Sequence, residues 1–314
     1  MQKKKQLPEG LVIKSTGSHY RVLADDGSVA ECAIKGKFRV KGSRTTNPVS
    51  VGDRVTFEPD RTAATGIITG LHERKNYIIR KASNLSKESQ IIAANIDHLF
   101  LMITLRHPET PLEFIDRFLV TSEAYRIPTS IIINKTDLYG TGENEKMSFL
   151  TETYPGIGYR CYQLSVTGKM GIDDLAAAMK DKISLLAGNS GVGKTSLLNS
   201  LNPVLNLRTG EISEYHRQGK HITTFPEMHP LPFGGYLIDT PGIRGFGMID
   251  MERNEIYHFF PEIFRESGGC RFYNCLHLEE PGCAVRTAVE KGVIAGSRYR
   301  SYLNILFDEN RKYR

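Results

Sequence analysis

The sequence has no apolar run approaching the roughly 18 residues that a membrane-spanning helix requires, which excludes a helical membrane protein. Cysteines are few, five in 314 residues, too few for a disulfide scaffold in a chain of this length. No apolar core follows the basic start MQKKKQLPEG, so no secretory leader is expected and the cytoplasm is the expected location. There is no internal repeat and no long low-complexity stretch, which excludes a repeat array. Acidic residues are scarce in one region: residues 1–83 carry 16 Lys and Arg against 8 Asp and Glu, in a chain that nets +6. Such a basic segment points to a polyanionic partner, most directly nucleic acid, although a merely solvating face gives the same count.

What is present divides into three. The composition, 40% hydrophobic and 24% charged, is that of a globular protein, and the length allows two or three domains. Over residues 1–83 the short β-rich runs HYRVL, VAECAI, DRVTF and GIITG, with Asp26-Gly27 as a hairpin signal, predict a small barrel. An OB-fold and an SH3-like barrel read almost alike at this level. Over 84–248, IDHLFLMIT, IPTSIIIN, YRCYQLS, ISLLAG and YLIDT alternate with the helical patterns PLEFIDRFLVTSEAYR, IDDLAAAMK and GKTSLLNSL. That alternation predicts an α/β domain with a parallel sheet covered on both faces. Residues 249–314 hold a Cys/His cluster and two short helices, AVRTAVEKG and SRYRSYLNILF.

The run Gly188-Asn189-Ser190-Gly191-Val192-Gly193-Lys194-Thr195, followed by Ser196, matches G-x-x-x-x-G-K-[ST] between a predicted strand and a predicted helix. Its glycines let backbone N–H groups surround phosphate oxygens, Lys194 adds a point charge at the β- and γ-phosphates, and Thr195 offers a hydroxyl to Mg²⁺. Asp239-Thr-Pro-Gly242 follows the strand YLID. There Asp239 can hold Mg²⁺ through water, and Gly242 can donate its N–H to the γ-phosphate. Between them, GKHITT can supply a threonine to Mg²⁺, with Thr223 preferred over Thr224. Upstream, the strand IPTSIII delivers Asn134-Lys135-Thr136-Asp137. The Asp137 carboxylate can accept from guanine N1–H and N2, a donor pair that adenine lacks. Asn134 can tie neighbouring loops, Lys135 can lie along the base, and Ser165-Val166 can aim a backbone N–H at O6. The order is guanine loop, O6 loop, phosphate loop, threonine loop, Asp-x-x-Gly loop. It is the ordinary GTPase order cut after its third motif and rejoined, a circular permutation. Chain order does not matter to the chemistry if the loops share the C-terminal edge of one sheet.

Cys270-x4-Cys275-x-His277-x5-Cys283 offers three thiolates and an imidazole, a closed tetrahedral set suited to one structural Zn²⁺. Cys32 and Cys161 lie in apolar strands and read as inert core residues.

Taken together, VGDRV, NKTD, GNSGVGKTSLLN, GKHITT, DTPGIRGF, the Cys/His cluster and RYRSYL resemble the RsgA (YjeQ) family of circularly permuted bacterial GTPases. The match covers nearly the whole chain, with Ile222 as a departure where the family more often has threonine. The resemblance implies an N-terminal OB-fold, a central permuted GTPase domain and a C-terminal zinc domain. It also implies binding to the small ribosomal subunit and its rRNA during late assembly, with hydrolysis of GTP to GDP stimulated by that subunit. A monomer is the default expectation.

Many GTPases orient the attacking water with a Gln just after D-x-x-G. Here that position is Ile243, and His221 is the best substitute in the sequence. Two rivals follow from these residues. Ile243 leaves open a nucleotide-switched RNA-binding protein with negligible hydrolysis, and the phosphate loop alone leaves open an ATP-dependent enzyme, against which Asp137 argues. The Asp-x-x-Gly segment runs directly into the zinc domain, so γ-phosphate contacts at Gly242 are expected to reposition that domain.

Overall fold

The structure is a computed structural model that describes residues 7–34, 48–59, 65–81, 89–207, 226–239 and 251–308. The first strands are β1 (Glu9–Ser15), β2 (His19–Ala24), β3 (Val29–Ile34), β4 (Arg54–Glu58) and β5 (Thr65–Leu71). A hairpin follows, β6 (Tyr77–Lys81) with β7 (Ser89–Ala94), and then β8 (His98–Ile103), α1 (Leu112–Ala124) and β9 (Thr129–Ile133). Next come α2 (Asn144–Ile157), β10 (Cys161–Gln163), α3 (Ile172–Met179), β11 (Ile183–Gly188) and α4 (Lys194–Leu201). The remainder supplies β12 (Glu227–Pro230), β13 (Tyr236–Asp239), α5 (Pro261–Ser267), α6 (Ala284–Glu290) and α7 (Gly296–Phe307). Among the described residues no helix is long and apolar enough to cross a membrane.

The chain divides into two compact units. The first comprises Met1–Leu99, Asp173–Ser190 and Lys194–Gly245. In it, β1 pairs with β2, β2 with β3, β4 with β5 and β4 with β1, all antiparallel, while β3 and β5 run parallel. This closed order, 1-2-3-5-4-1, is the Greek-key arrangement of an OB-fold and decides between the two barrels the sequence allowed. Alternation along β2 turns Tyr20, Val22 and Ala24 inward onto Val12, Cys32, Val55, Phe57 and Ile68. The β2–β3 turn is held by Asp26, whose Oδ1 accepts from Ser28 N at 2.9 Å.

Gly52 and Asp53 of VGDRV join the barrel to the β6–β7 hairpin. Gly52 has φ +91, and a Cβ there would lie 2.0 Å from Ala94 O, so the approach of the two backbones requires glycine. Asp53 is fully buried; it accepts from Arg74 Nε and Nη2, both at 2.6 Å, and from Ser50 N at 2.8 Å. In the same unit β11 and β13 run parallel, β12 lies antiparallel to β13, and β12 pairs with β1 at Lys14↔Glu227, where the side chains form a 2.9 Å ion pair.

The second unit comprises Phe100–Ile172, Gly191–Gly193 and Phe246–Arg314. Strands β9 and β10 run parallel in register Ile133↔Gln163, with β8 on the other side of β9. Every residue of β9 is buried, as a strand covered on both faces requires. Val120 of α1 shares one apolar core with Ile256, Phe260, Ile263, Tyr302 and Ile305, so the C-terminal helices pack on α1 directly.

At the centre of that packing lies Arg298, fully buried. Its Nε and Nη2 donate to Glu262 at 2.6 and 3.1 Å, and its Nη1 donates to Asp116 Oδ1 at 2.9 Å. Tyr154 of α2 donates to the same Asp116 oxygen at 2.7 Å, and the guanidinium lies 4.7 Å from the Phe260 ring centroid. One cation therefore joins α1, α5 and α7, with α2 held through Tyr154.

Candidate functional site

The parallel register carries the predicted loops to strand ends. Asn134 follows the last residue of β9, and Leu164 and Ser165 follow β10, which ends in register with it. In the other unit, the β11–β13 register sets Asp239 opposite Leu186, two residues before Gly188.

Asn134 is buried and uses both ends of its amide: Nδ2 donates to Val192 O at 2.8 Å, and Oδ1 accepts from Val166 N at 3.3 Å. The guanine loop, the Ser165-Val166 loop and the 191–193 stretch of the phosphate loop are thus tied by one side chain, all within the second unit. Gly193 has φ +105, and a Cβ there would lie 2.5 Å from Asn134 Nδ2, so this bridge needs glycine at its far end. Lys135 adopts the left-handed backbone, φ +64, and sends Nζ to Gly191 O at 2.8 Å and also to His107 O. Thr136 donates from Oγ1 to Leu164 O at 3.0 Å. Asp137 is exposed, and its Oδ1 accepts from Ser165 Oγ at 2.5 Å. That bond fixes the carboxylate while leaving it open to a ligand's donors. Tyr139 accepts from Leu105 N at 2.9 Å and donates to Asn134 O, bracing the loop from beneath.

In the first unit Lys194, at the start of α4, donates from Nζ to Gly188 O and Asn189 O at 2.7 and 2.8 Å. Burial pushes its ammonium below the usual lysine range, opposed by the charge of Asp239. A polyphosphate would relieve the same desolvation with a counter-charge. Thr195 and Ser196 begin α4 on the half-exposed side. His221, Thr223 and Gly242 lie outside the described residues, as do Thr224 and Ile243, so the water-orienting group and the coupling expected through Gly242 have no geometry to describe.

Cys270, Cys275, His277 and Cys283 converge. Their ligand atoms all lie within 4.8 Å of one another, against about 3.8 Å for the edges of an ideal zinc–thiolate tetrahedron. His277 turns Nδ1 to the sulfurs, 3.6 Å from both Cys270 and Cys283. Cys283 caps α6, its sulfur 3.5 Å from Arg286 N; that donor favours a thiolate, but burial outweighs it and pushes the thiol up. His277 has φ +62, and the chain around it is held by outside partners. Glu280 accepts from Leu276 N and Leu278 N at 2.8 and 2.7 Å, while Tyr302 and Tyr299 donate to the carbonyls of Leu276 and His277, both at 2.6 Å. Burial would raise the Glu280 carboxyl, but the backbone donors outweigh it and hold it below the usual range. The donor set and its convergence fit a tetrahedral soft-ligand metal, Zn²⁺ above all. Cys32 is buried in the barrel core and Cys161 is half-buried in β10; burial pushes their thiols up to about 11 and about 12.

Residues 71–249 match the family described as RsgA GTPase, and residues 9–68 match the RsgA N-terminal domain. The chain belongs to the RsgA GTPase family. As a member it is a GTP hydrolase of circularly permuted fold. Among RsgA relatives, "Small ribosomal subunit biogenesis GTPase RsgA" of Phocaeicola vulgatus is 53% identical over 98% of this chain and 99% of its own length. The relative of the same name from Christiangramia forsetii is 50% identical over 98% of each. Of solved structures, YjeQ from Thermotoga maritima superposes with a TM-score of 0.78 at 36% identity, covering 96% of this chain and 98% of its own. YloQ, "a circularly permuted GTPase", superposes at 0.76 and 30% identity over 99% and 98%.

Sequence reasoning did not single out the Ser165 hydroxyl, Tyr139, Glu280, or the hydroxyls of Tyr299 and Tyr302. The two tyrosines lie in the predicted helix SRYRSYLNILF. Their spacing carries the helical face, but nothing local tells that their tips reach the carbonyls of His277 and Leu276, 22 and 26 residues away.

Proposed function

We propose that this chain binds the small (30S) ribosomal subunit, assists its late assembly, and hydrolyses GTP to GDP and phosphate with stimulation by that subunit. The reading is supported by relatives of about half-identical sequence named small ribosomal subunit biogenesis GTPase, and by a barrel segment rich in Lys and Arg suited to rRNA. It divides the chain into an RNA-binding OB-fold (1–83), the permuted GTPase domain (84–248) and a zinc domain (249–314), acting in the cytoplasm as a monomer.

In this reading one nucleotide takes its base at Asn134, Lys135, Thr136, Asp137, Ser165 and Val166, and its phosphates at residues 188–196. Asp239, Thr195, Thr223 and Gly242 serve Mg²⁺ and the γ-phosphate, and His221 orients water. Mg²⁺ would supply charge neutralisation at the phosphates. Cys270, Cys275, His277 and Cys283 would hold one structural Zn²⁺. The observation that carries the nucleotide reading is the Asn134 side chain, bonded to Val192 O inside the phosphate loop and to Val166 N in the O6 loop.

The test is GTP turnover by the purified chain with and without purified small subunits. Slow turnover alone and a large increase with subunits is expected, as when a partner completes a GTPase's catalytic site. Equal turnover in both would end the proposal of stimulation.

A further inference from the structure

The metal ligand His277 has a second ring nitrogen whose partner is not a conventional acceptor. Nδ1 faces the sulfurs of Cys270 and Cys283. On a neutral imidazole ligated through Nδ1, the proton resides on Nε2. Nε2 is buried and has no hydrogen-bond partner. Metal-bound histidines ordinarily donate that N–H to a carboxylate, a carbonyl or water, which fixes the ring and raises its basicity. Two rings adjoin the imidazole: Tyr257, centroid to centroid 4.9 Å away and nearly perpendicular at 86°, and Tyr302, farther at 6.2 Å and tilted by 51°, so Tyr257 is the nearer face. Tyr257 is itself held in place: its ring lies 4.2 Å from that of His258, tilted by 48°, and 6.3 Å from that of Phe264. The short 3₁₀ turn Ile256–Phe259 that carries it leads into α5 and packs on α1.

We infer that Tyr257 is the positioning residue of the zinc site, its ring face accepting the His277 Nε2–H. The inference rests on the zinc reading given above. An edge-to-face contact at this separation is attractive for an N–H aimed at the electron-rich face. It also answers for a buried donor that would otherwise carry the full cost of desolvation. A π-face is a weaker acceptor than a carboxylate, so it orients the imidazole while leaving its charge nearly unaltered. The three thiolates then set the charge of the centre. The Tyr257 hydroxyl has no part in the contact, which separates this role from hydrogen bonding by a phenol.

The test uses the full chain loaded with zinc, with imidazole ¹⁵N labelling. Metal analysis of the wild-type chain comes first, and a chain that takes up no zinc would overturn the zinc reading and this inference together. In the loaded chain the His277 Hε2 resonance should be protected from exchange and shifted upfield by the Tyr257 ring current. That shift should persist in Tyr257→Phe and vanish in Tyr257→Leu. In competition with a chelator, Tyr257→Leu should lose zinc affinity by about tenfold or more, the scale on which supporting partners of metal ligands act, and Tyr257→Phe should stay within about twofold of wild type. An unshifted Hε2 in the zinc-loaded wild type would overturn the assignment while leaving the zinc reading intact. So would equal losses in the Phe and Leu variants.

Discussion

Replacing Asp137 by asparagine is expected to weaken GTP binding by about 100-fold or more and to confer preference for xanthosine triphosphate. Asp137 is exposed and, among the described residues, anchored by Ser165, whose hydroxyl donates to its Oδ1 at 2.5 Å. The carboxylate therefore presents acceptor capacity to the guanine N1–H and N2–H₂. The amide keeps one acceptor, which Ser165 can still use, and replaces the other with a donor. Guanine then meets donor against donor, and each buried unpaired polar group costs about 1–3 kcal/mol. Xanthine carries a carbonyl where guanine carries N2, and the Asn Nδ2 would donate to it. Competition against a fluorescent GDP analogue measures both affinities. An unchanged preference for GTP would remove Asp137 from base recognition. The geometry also predicts that the loop survives the change, since Asn134 rather than Asp137 holds it to Val192 and Val166.

Arg298→Ala is expected to destabilise the second unit by about 3–5 kcal/mol, the cost of removing one member of a buried ion network. The substitution would leave Glu262 and Asp116 as buried carboxylates facing the space vacated by a fully buried side chain. Asp116 is already short of donors, its Oδ2 having no partner, so the loss falls on a group with nothing in reserve. Urea midpoints report the loss. A triple variant, Arg298→Met with Asp116→Asn and Glu262→Gln, should regain most of it, because it removes the stranded charges along with the cation. If Arg298→Ala unfolds at the wild-type midpoint, the ion network contributes nothing and the apolar core of Val120, Phe260 and Tyr302 holds the helices alone.

The network bears on the coupling expected between the C-terminal region and the nucleotide. Connectivity suggested control through Gly242, whose surroundings lie outside the described residues. The described contacts instead join α5 and α7 to α1 and α2, the helices that follow β8 and the guanine loop.

Function was legible in the sequence where short spacing encodes it. The phosphate loop and NKTD each occupy a few consecutive residues, the Cys/His set of the candidate metal centre spans only residues 270–283, and the chemistry of each depends on that spacing. The strands β8, β9 and β11 were equally plain, because a doubly covered strand is an unbroken apolar run. What stayed hidden depends on distant partners. Arg298 read as one more basic residue in RYRSYL; its partners lie 36 and 182 residues away. Asp116 stood in an apolar helical stripe with no local sign that it was buried. The run GLVIKS of β1 gave no separate signal of a strand that pairs both within the barrel and with β12. The hairpin β6–β7 and helices α2 and α5 gave no stronger local signal. In α2 the apolar spacing of Met147, Leu150 and Tyr154 was available as a cue, and only Leu150 and Tyr154 are fully buried.

The most direct test of the account is the structure of the chain with GDP and Mg²⁺ bound. The account predicts a single nucleotide, its guanine N1 and N2 at the Asp137 carboxylate and its β-phosphate within reach of Lys194 Nζ, which would have left the carbonyls of Gly188 and Asn189. A nucleotide bound by its phosphates at residues 188–195 with its base away from Asp137 would contradict it.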